Sequence, residues 1–430
     1  MKTMFKQIIV SILTMEARLL LSRKRPTIIA ITGSVGKTTT KDAIYAAIKN
    51  SVRARKSEKS FNSDIGVPLT ILGLPNAWNS PFGWIRNVID GLFIACCTKD
   101  YPKVLVLETG IDAPGDMDHL TSWLKPDIAV ITRLPDVPVH VEHFKNPAEV
   151  IREKMKLVAA LRPDGVVVYN HDDVIIQAQL PEIRQRSVGY SRDLPASVMA
   201  SKDQVVYHTG IPTGMKFYIK TETETGAIDI PGTVGTQLMY SYTAAVAVAG
   251  VLDVSLSDAL VGLSEATPPP GRMKLIPGLK GTTLIDDTYN SSPIAAEQAL
   301  VALREVRAPG RKIAVLGDML ELGKFSNDEH VRIGRLAGEV VDVLYTVGIR
   351  SQKIAHGALL AQLPESSIMQ FEDAETAGKA LQNLLQSGDV VLIKGSQGMR
   401  LECVVEEVMA NPEQAEQLLV RQDPDWKRRA

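Results

Sequence analysis

Cysteine is almost missing from this chain. Only Cys96, Cys97 and Cys403 occur in 430 residues, and an odd count with one adjacent pair and no ligand spacing argues against both a disulfide framework and a zinc site. A reducing, cytoplasmic setting follows. Excess charge of either sign is missing as well: 48 Lys and Arg stand against 49 Asp and Glu, for a net charge of −1. No bulk field draws such a chain to nucleic acid or to an acidic surface, so no nucleic-acid partner is expected. Low-complexity segments and fixed-period repeats are also absent.

A membrane-spanning run is lacking too. Lys2 and Lys6 precede Ile8-Ile9-Val10 and Ile12-Leu13, like the start of a signal peptide, but Glu16 and Arg18 break the run. Apolar residues at 5, 8, 9, 12, 13 and 20 instead follow a helical stripe, which Arg23, Lys24 and Arg25 close at its cationic end. The spacing predicts an amphipathic helix within residues 1–26. Such a helix either docks on the domain that follows or rests, as a basic helix in weak contact, on the inner face of a membrane.

What is present is an ordinary globular composition, 45% hydrophobic and long enough for two or three domains. Short β-branched runs at 27–32, 103–108, 127–132 and 164–169 alternate with helical stretches, the pattern of a parallel sheet covered on both faces. Residues 197–230, richer in Thr, Val and Tyr, predict a small antiparallel patch. Ala266-Thr267-Pro268-Pro269-Pro270-Gly271 cannot be helical and predicts a stiff, exposed joint. After it the strand pattern returns at 282–286, 312–316, 342–347 and 389–393, with helices at 294–306 and 326–340. The division expected is 1–26 helix, 27–268 central domain and 269–430 second α/β domain, a size usual for domains.

The most informative stretch is Ile29-Ala30-Ile31-Thr32-Gly33-Ser34-Val35-Gly36-Lys37-Thr38-Thr39-Thr40. An apolar run, a loop with two glycines and Lys-Thr opening a helix make a phosphate cradle, shortened to G-x-x-G-K-T because Ile31 stands where the first glycine of the usual spacing would be. Backbone N–H groups would close on phosphate oxygens, Lys37 would neutralise the β/γ-phosphates and Thr38 would offer a hydroxyl to Mg²⁺. Val104-Leu105-Val106-Leu107-Glu108 ends a buried strand in a carboxylate, making Glu108 a Mg²⁺ candidate where ligands of open α/β sheets gather. On spacing alone His140 and Lys154 read equally as a structural histidine and a solvated lysine. Beyond the joint, Asp286-Asp287-Thr288-Tyr289-Asn290, Gly317-Asp318-Met319-Leu320-Glu321-Leu322-Gly323 and Lys394-Gly395-Ser396 each follow a strand and predict ligand-facing loops.

These stretches, in this order and together with Ser60-Phe61-Asn62-Ser63-Asp64-Ile65-Gly66-Val67-Pro68 and Leu107-Glu108-Thr109-Gly110, resemble the ATP-dependent Mur ligases over nearly all of 27–410. The resemblance implies a parallel-sheet P-loop ATPase domain followed by a Rossmann-like α/β domain. It also implies cytoplasmic amide-bond formation in peptidoglycan synthesis, with roles in cell-wall biogenesis and cell shape. ATP and Mg²⁺ would be cofactors, a UDP-muramoyl-peptide and D-alanyl-D-alanine substrates, and the chain a monomer. By position, Gly33, Ser34, Gly36, Lys37, Thr38, Thr39, Arg272 and Asp287 would hold the nucleotide. Thr38, Glu108, His140 and Lys154 would lie at the metal, with Lys154 matching the family lysine that is carbamylated. Lys37, His140 and Lys154 would serve catalysis, while Asn62, Asn290, Asp318 and Lys394 would approach the substrates. Departures from the family pattern are Gln237-Leu238, Ser241 and Arg133 near the adenine, Lys156 in place of Glu, and only 26 residues before the central domain, where weak recognition of the nucleotide end of the acceptor is expected. A ligase for another amino acid or peptide and a non-UDP acceptor, or a weakly catalytic nucleotide-binding scaffold, are the alternatives.

Overall fold

The computed structural model describes residues 2–58, 61–62, 64–78 and 80–427; Ser60 and Ser63 of the motif above lie outside them. Apolar runs become strands in two sheets. The first contains β1 (Thr27–Thr32), β2 (Ala54–Lys56), β3 (Val104–Glu108), β4 (Ile128–Ile131), β5 (Val166–Asn170), β6 (Arg186–Ser191), β7 (Val198–His208), β8 (Ile211–Lys220) and β9 (Thr225–Pro231). Its order is β2-β3-β1-β4-β5-β6-β7-β8-β9. All pairs are parallel up to β7, after which β7, β8 and β9 run antiparallel. The patch predicted over 197–230 is thus the far edge of the main sheet, joined to it through Tyr190 and Ser191 of β6.

Strands β1, β3, β4 and β5 are apolar along most of their length because both faces are covered. On one face lie α2 (Lys37–Ile48) and the helix Thr236–Val251. On the other lie α1 (Lys2–Lys24), α3 (Gly66–Leu72), α4 (Pro81–Cys97), α5 (Asp116–Thr121) and α6 (Pro147–Ala159). The chain order reverses at β1, which sits between β3 and β4. The ends of these three strands therefore frame a crevice, where α/β sheets bind ligands.

The second sheet holds β10 (Lys274–Gly278), β11 (Thr282–Asp287), β12 (Lys312–Gly317), β13 (Val343–Val347), β14 (Ile368–Phe371) and β15 (Val390–Lys394), in the order β10-β11-β15-β12-β13-β14. It is parallel except for the β10–β11 hairpin.

Two expectations need correction. The segment 266–271 is exposed only at Thr267, and Pro268 and Gly271 are buried. Gly271 N donates to Asp286 Oδ2 (3.1 Å), and Gly271 O accepts from Tyr289 N (3.2 Å), so the joint is pinned onto the end of β11. Helix α1 does dock, burying Ile9, Leu13, Ala17 and Leu20 in the core, yet Phe5 and Ile8 of its stripe stay outside.

Candidate active site

The loop after β1 turns through Gly33 (φ 140°) and Gly36 (φ 85°), backbone conformations that side chains rarely tolerate. A Cβ on Gly33 would also lie 2.0 Å from Thr132 Oγ1, on the neighbouring strand end. This turn starts α2 at Lys37 and bends the lysine back over its own loop. Lys37 Nζ donates to Gly33 O (2.9 Å), and Lys154 Nζ reaches the same carbonyl from α6 (3.2 Å). Two ammonium groups thus share one neutral acceptor. Burial pushes both amines below the ordinary lysine range, Lys154 well below it, with the charge on Lys37 pushing further in the same direction.

Opposite them Glu108 ends β3, buried, where it accepts from Thr38 Oγ1 (2.9 Å) and from Asn62 Nδ2 (3.3 Å). A hydroxyl and a carboxylate side by side are hard oxygen donors, the kind that hold Mg²⁺ when phosphate oxygens complete its shell. Among the described residues no group of three His, Cys, Asp or Glu could hold a metal by itself, so a cation here would depend on a bound anion.

The second sheet closes the crevice. Arg272 lies 4.0 Å over the ring of Tyr289, and its buried Nε has no hydrogen-bond partner among the described residues. The Oγ of Ser34 is equally buried and unpartnered. These two polar atoms flank a cleft of about 330 Å³, lined also by Gly36, Lys37, Thr38, Asn62, Glu108, His140, Lys154, Asn290 and Gln397. His140, held at φ 69°, donates from Nδ1 to the Glu321 carboxylate (2.7 Å) of the second domain and faces Asp112 (3.8 Å). The bond to His140 holds the Glu321 carboxyl below its usual range.

Other expected residues stand apart from the open cleft. Lys394 is buried in an ion pair with Asp287 (2.6 Å) and donates to Asn290 O (2.9 Å). Both line a smaller cavity beside it, with Gly36, Thr39, Gln237 and Arg272. Asp318 does not line the cleft; its carboxylate accepts from Ser351 N (2.7 Å). Gln237, Ser241 and Arg133, the departures near the adenine, meet with Thr132, Asn170, Tyr190 and Tyr240 around one small cavity next to Gly36. Lys156 pairs instead with Asp118 and Glu153.

Comparison with known proteins fits this geometry. The Mur ligase middle domain model matches residues 31–82 and 88–249, and the Mur ligase, glutamate ligase domain model matches 271–397. The UDP-N-acetylmuramoyl-tripeptide--D-alanyl-D-alanine ligase of Mycobacterium leprae is 30% identical over 399 residues, 87% of this chain and 72% of that protein. The chain belongs to the Mur ligase family. It is an ATP-dependent acid–amino-acid ligase. The Bacillus subtilis protein of the same description is 28% identical over 90% of this chain and 76% of its own length. The crystal structure of MurF from Thermotoga maritima in complex with ADP shares the fold, with a TM-score of 0.75 and 24% identity over 95% of this chain and 84% of that one.

Among the residues of this Mur ligase's cleft that sequence reasoning left unassigned are Asp112, Tyr289, Gln397 and Glu321, the last reaching the cleft through His140. Tyr289 and Glu321 lie inside quoted motifs, and their positions directly after strands were the available signal. Asp112 stands two residues past Leu107-Glu108-Thr109-Gly110 and Gln397 directly after Lys394-Gly395-Ser396, so their places beside strand-end motifs were the signal for them as well.

Proposed function

We propose that this ligase joins D-alanyl-D-alanine to the terminal carboxylate of a UDP-N-acetylmuramoyl-tripeptide in the cytoplasm, acting as a monomer in peptidoglycan precursor synthesis. The observation that carries the phosphoryl-transfer half is the pair of amines, the half-buried Lys37 and the buried Lys154, which share one carbonyl and make no ion pair among the described residues. The Lys37 cation in this cleft, beside a helix N-terminus and an Arg272 Nε with no hydrogen-bond partner among the described residues, suits the phosphates of ATP. The names of the relatives support the substrates. Residues 27–268 and 269–430, one sheet each, are the working halves.

In the reaction, an oxygen of the acceptor carboxylate attacks the γ-phosphorus, the bond to the β–γ bridging oxygen breaks and ADP leaves. The amine nitrogen of D-alanyl-D-alanine then attacks the acyl carbon, inorganic phosphate leaves with its oxygen, and a proton is lost from nitrogen. No protein nucleophile is required. Lys37 and Arg272 offset charge growing on the transferred group. Thr38 and Glu108 would hold a Mg²⁺ ion, which supplies further neutralisation when bound. An ammonium on Lys154 cannot ligate a cation, but its buried amine, biased to the neutral form, is the form that adds to CO₂; the resulting carbamate would give Lys154 a carboxylate-like oxygen for the metal. His140 and Glu321 hold the two halves together over the cleft, while Asn62 and Asn290 present amides to the substrates.

The test is phosphate release from ATP with each substrate omitted in turn. Release that needs both D-alanyl-D-alanine and the UDP-muramoyl-tripeptide is expected. Equal release with other amines or with acceptors lacking the UDP-sugar would overturn the substrate assignment and leave the chemistry standing.

A further inference from the structure

Helix α4 is built inside out for a water-soluble surface. Its inward side carries the buried Asn87, Gly91 and Ala95, small or polar residues. Its outward side, at the spacing of one helical face, carries Phe82, Ile85, Ile89, Leu92 and Phe93. Phe82 is 84% exposed, Phe93 66% and Ile89 63%. An amphipathic helix packed for water would show the opposite arrangement. The helix rides on α1, where Glu16 of α1 sits against Gly91, Arg23 donates to Ala95 O, and Lys24 Nζ donates to Lys99 O (3.1 Å). Helix α1 adds its own exposed Ile8, Met15 and Leu19 to this side of the molecule.

We propose that the α1–α4 pair is a docking surface for an anionic lipid bilayer, seated in the interface and not spanning it. Three observations select that occupant. The exposed side chains form a ridge, which gives a partner peptide no groove to enter, whereas a bilayer accepts a ridge at the depth of its headgroups. Trp78, 55% exposed, and Trp84, whose Nε1 donates to Trp78 O, stand at the start of α4, as indoles do where one side is apolar and the other wet. Basic residues flank the ridge in a chain whose overall charge is −1: residues 1–25 hold six Lys and Arg against the single acid Glu16, which is buried. Positive charge clustered beside an apolar helix is complementary to anionic headgroups. Two copies meeting through this ridge would bring their basic clusters together. Among the described residues no helix is long and apolar enough to cross a membrane.

This inference stands apart from the choice of ligase substrates. The experiment uses the full chain with vesicles of phosphatidylcholine, alone or containing phosphatidylglycerol, followed by co-sedimentation and by tryptophan emission. Binding to the phosphatidylglycerol vesicles with a blue shift, weakened about tenfold or more by raised salt, is expected. The variant Phe82→Ser/Ile89→Ser/Phe93→Ser should lower partitioning about a hundredfold or more while leaving turnover on soluble substrates and the thermal midpoint unchanged, since all three side chains already face outward. Absence of vesicle binding by the intact chain, equal binding to neutral vesicles, or unchanged binding by the variant would each overturn the proposal. So would a dimer in light scattering that the triple variant dissolves without any vesicle binding, which would make the ridge a contact between copies.

Discussion

The two halves of the cleft treat buried positive charge in opposite ways. In the C-terminal half Lys394 is buried and paired with Asp287 at 2.6 Å, and its remaining donors reach Asn290 O. In the central half, among the described residues, Lys37 and Lys154 both donate to Gly33 O and make no ion pair, with Glu108 and Asp112 acting at longer range. A buried ammonium with its own carboxylate is a finished structural element, while one without a counter-charge leaves a field for an incoming anion to fill. Residue type is the same in both halves, and Lys154 and Lys394 are equally buried. The neighbour separates the paired lysine from the two that make no ion pair among the described residues.

That contrast can be broken, beginning with the largest effect. Lys37→Ala should reduce ligation by a thousandfold or more, about 4 kcal/mol of transition-state stabilisation, while the thermal midpoint stays level or rises because an uncompensated buried charge has gone. Steady-state phosphate release and a melting curve on the same preparation check both. Near-normal turnover would mean that the loop does not clamp the transferred phosphoryl group.

Lys154→Ala should lose activity to a similar degree, yet recover part of it when a small carboxylate is added to occupy the vacated place, whereas Lys37→Ala should not respond. Mass spectrometry of intact protein equilibrated with CO₂, trapped by alkylation, gives the direct readout of a carbamate. An unmodified lysine under all conditions would leave Lys154 as a phosphate-facing cation only.

The opposite result is expected in the C-terminal half. Lys394→Met strands Asp287 in the interior and should cost about 3 kcal/mol in urea unfolding, with activity falling in step with the folded fraction. Adding Asp287→Asn should return part of that stability, because both charges are then gone. If Lys394→Met is as stable as the parent but inactive, Lys394 belongs with Lys37 and Lys154, and the contrast fails.

Glu16 supplies the smallest test, away from the cleft. It is buried between α1 and α4 with Oε2 unpartnered, and burial raises its carboxyl to about 7. The folded state then binds the proton more tightly than the unfolded chain does. Stability falls as pH rises from the ordinary carboxylate range through about 7, and the full cost is present above it. Glu16→Gln should therefore stabilise the protein by roughly 1–3 kcal/mol at pH 8 and by almost nothing at pH 4. Equal midpoints for both proteins across that range would show that water reaches the carboxylate.

Much of this was legible in residue order. The runs 27–32, 282–286 and 312–316 became strands within a residue of the expected ends, because strands covered on both faces are apolar along much of their length, although β11 also buries Thr282, Thr283, Asp286 and Asp287. The phosphate loop was equally plain, since only glycine accepts the backbone angles at Gly33 and Gly36. His140 and Lys154 could not be told from a structural histidine and a solvated lysine by spacing; burial, a tertiary property, shows that Lys154 is not solvated, and the contact with Glu321 is what the fold adds for His140. The joint at 266–271 misled because proline composition reports stiffness, and only the bonds of Gly271 to Asp286 and Tyr289 report that it is packed.

What the chain determined by itself was local: periodicity set the elements, glycines set the phosphate loop, and carboxylates and lysines at strand and helix ends set the chemistry available. What tertiary structure alone decided was pairing. It gave Lys394 a carboxylate 2.6 Å away, brought Lys37 and Lys154 to one carbonyl across 116 intervening residues, joined His140 to Glu321 across two sheets, and turned the apolar side of α4 outward. The physical reason is that electrostatic and hydrophobic energies depend on distance through space and on access to water, and neither quantity is a function of position along the chain.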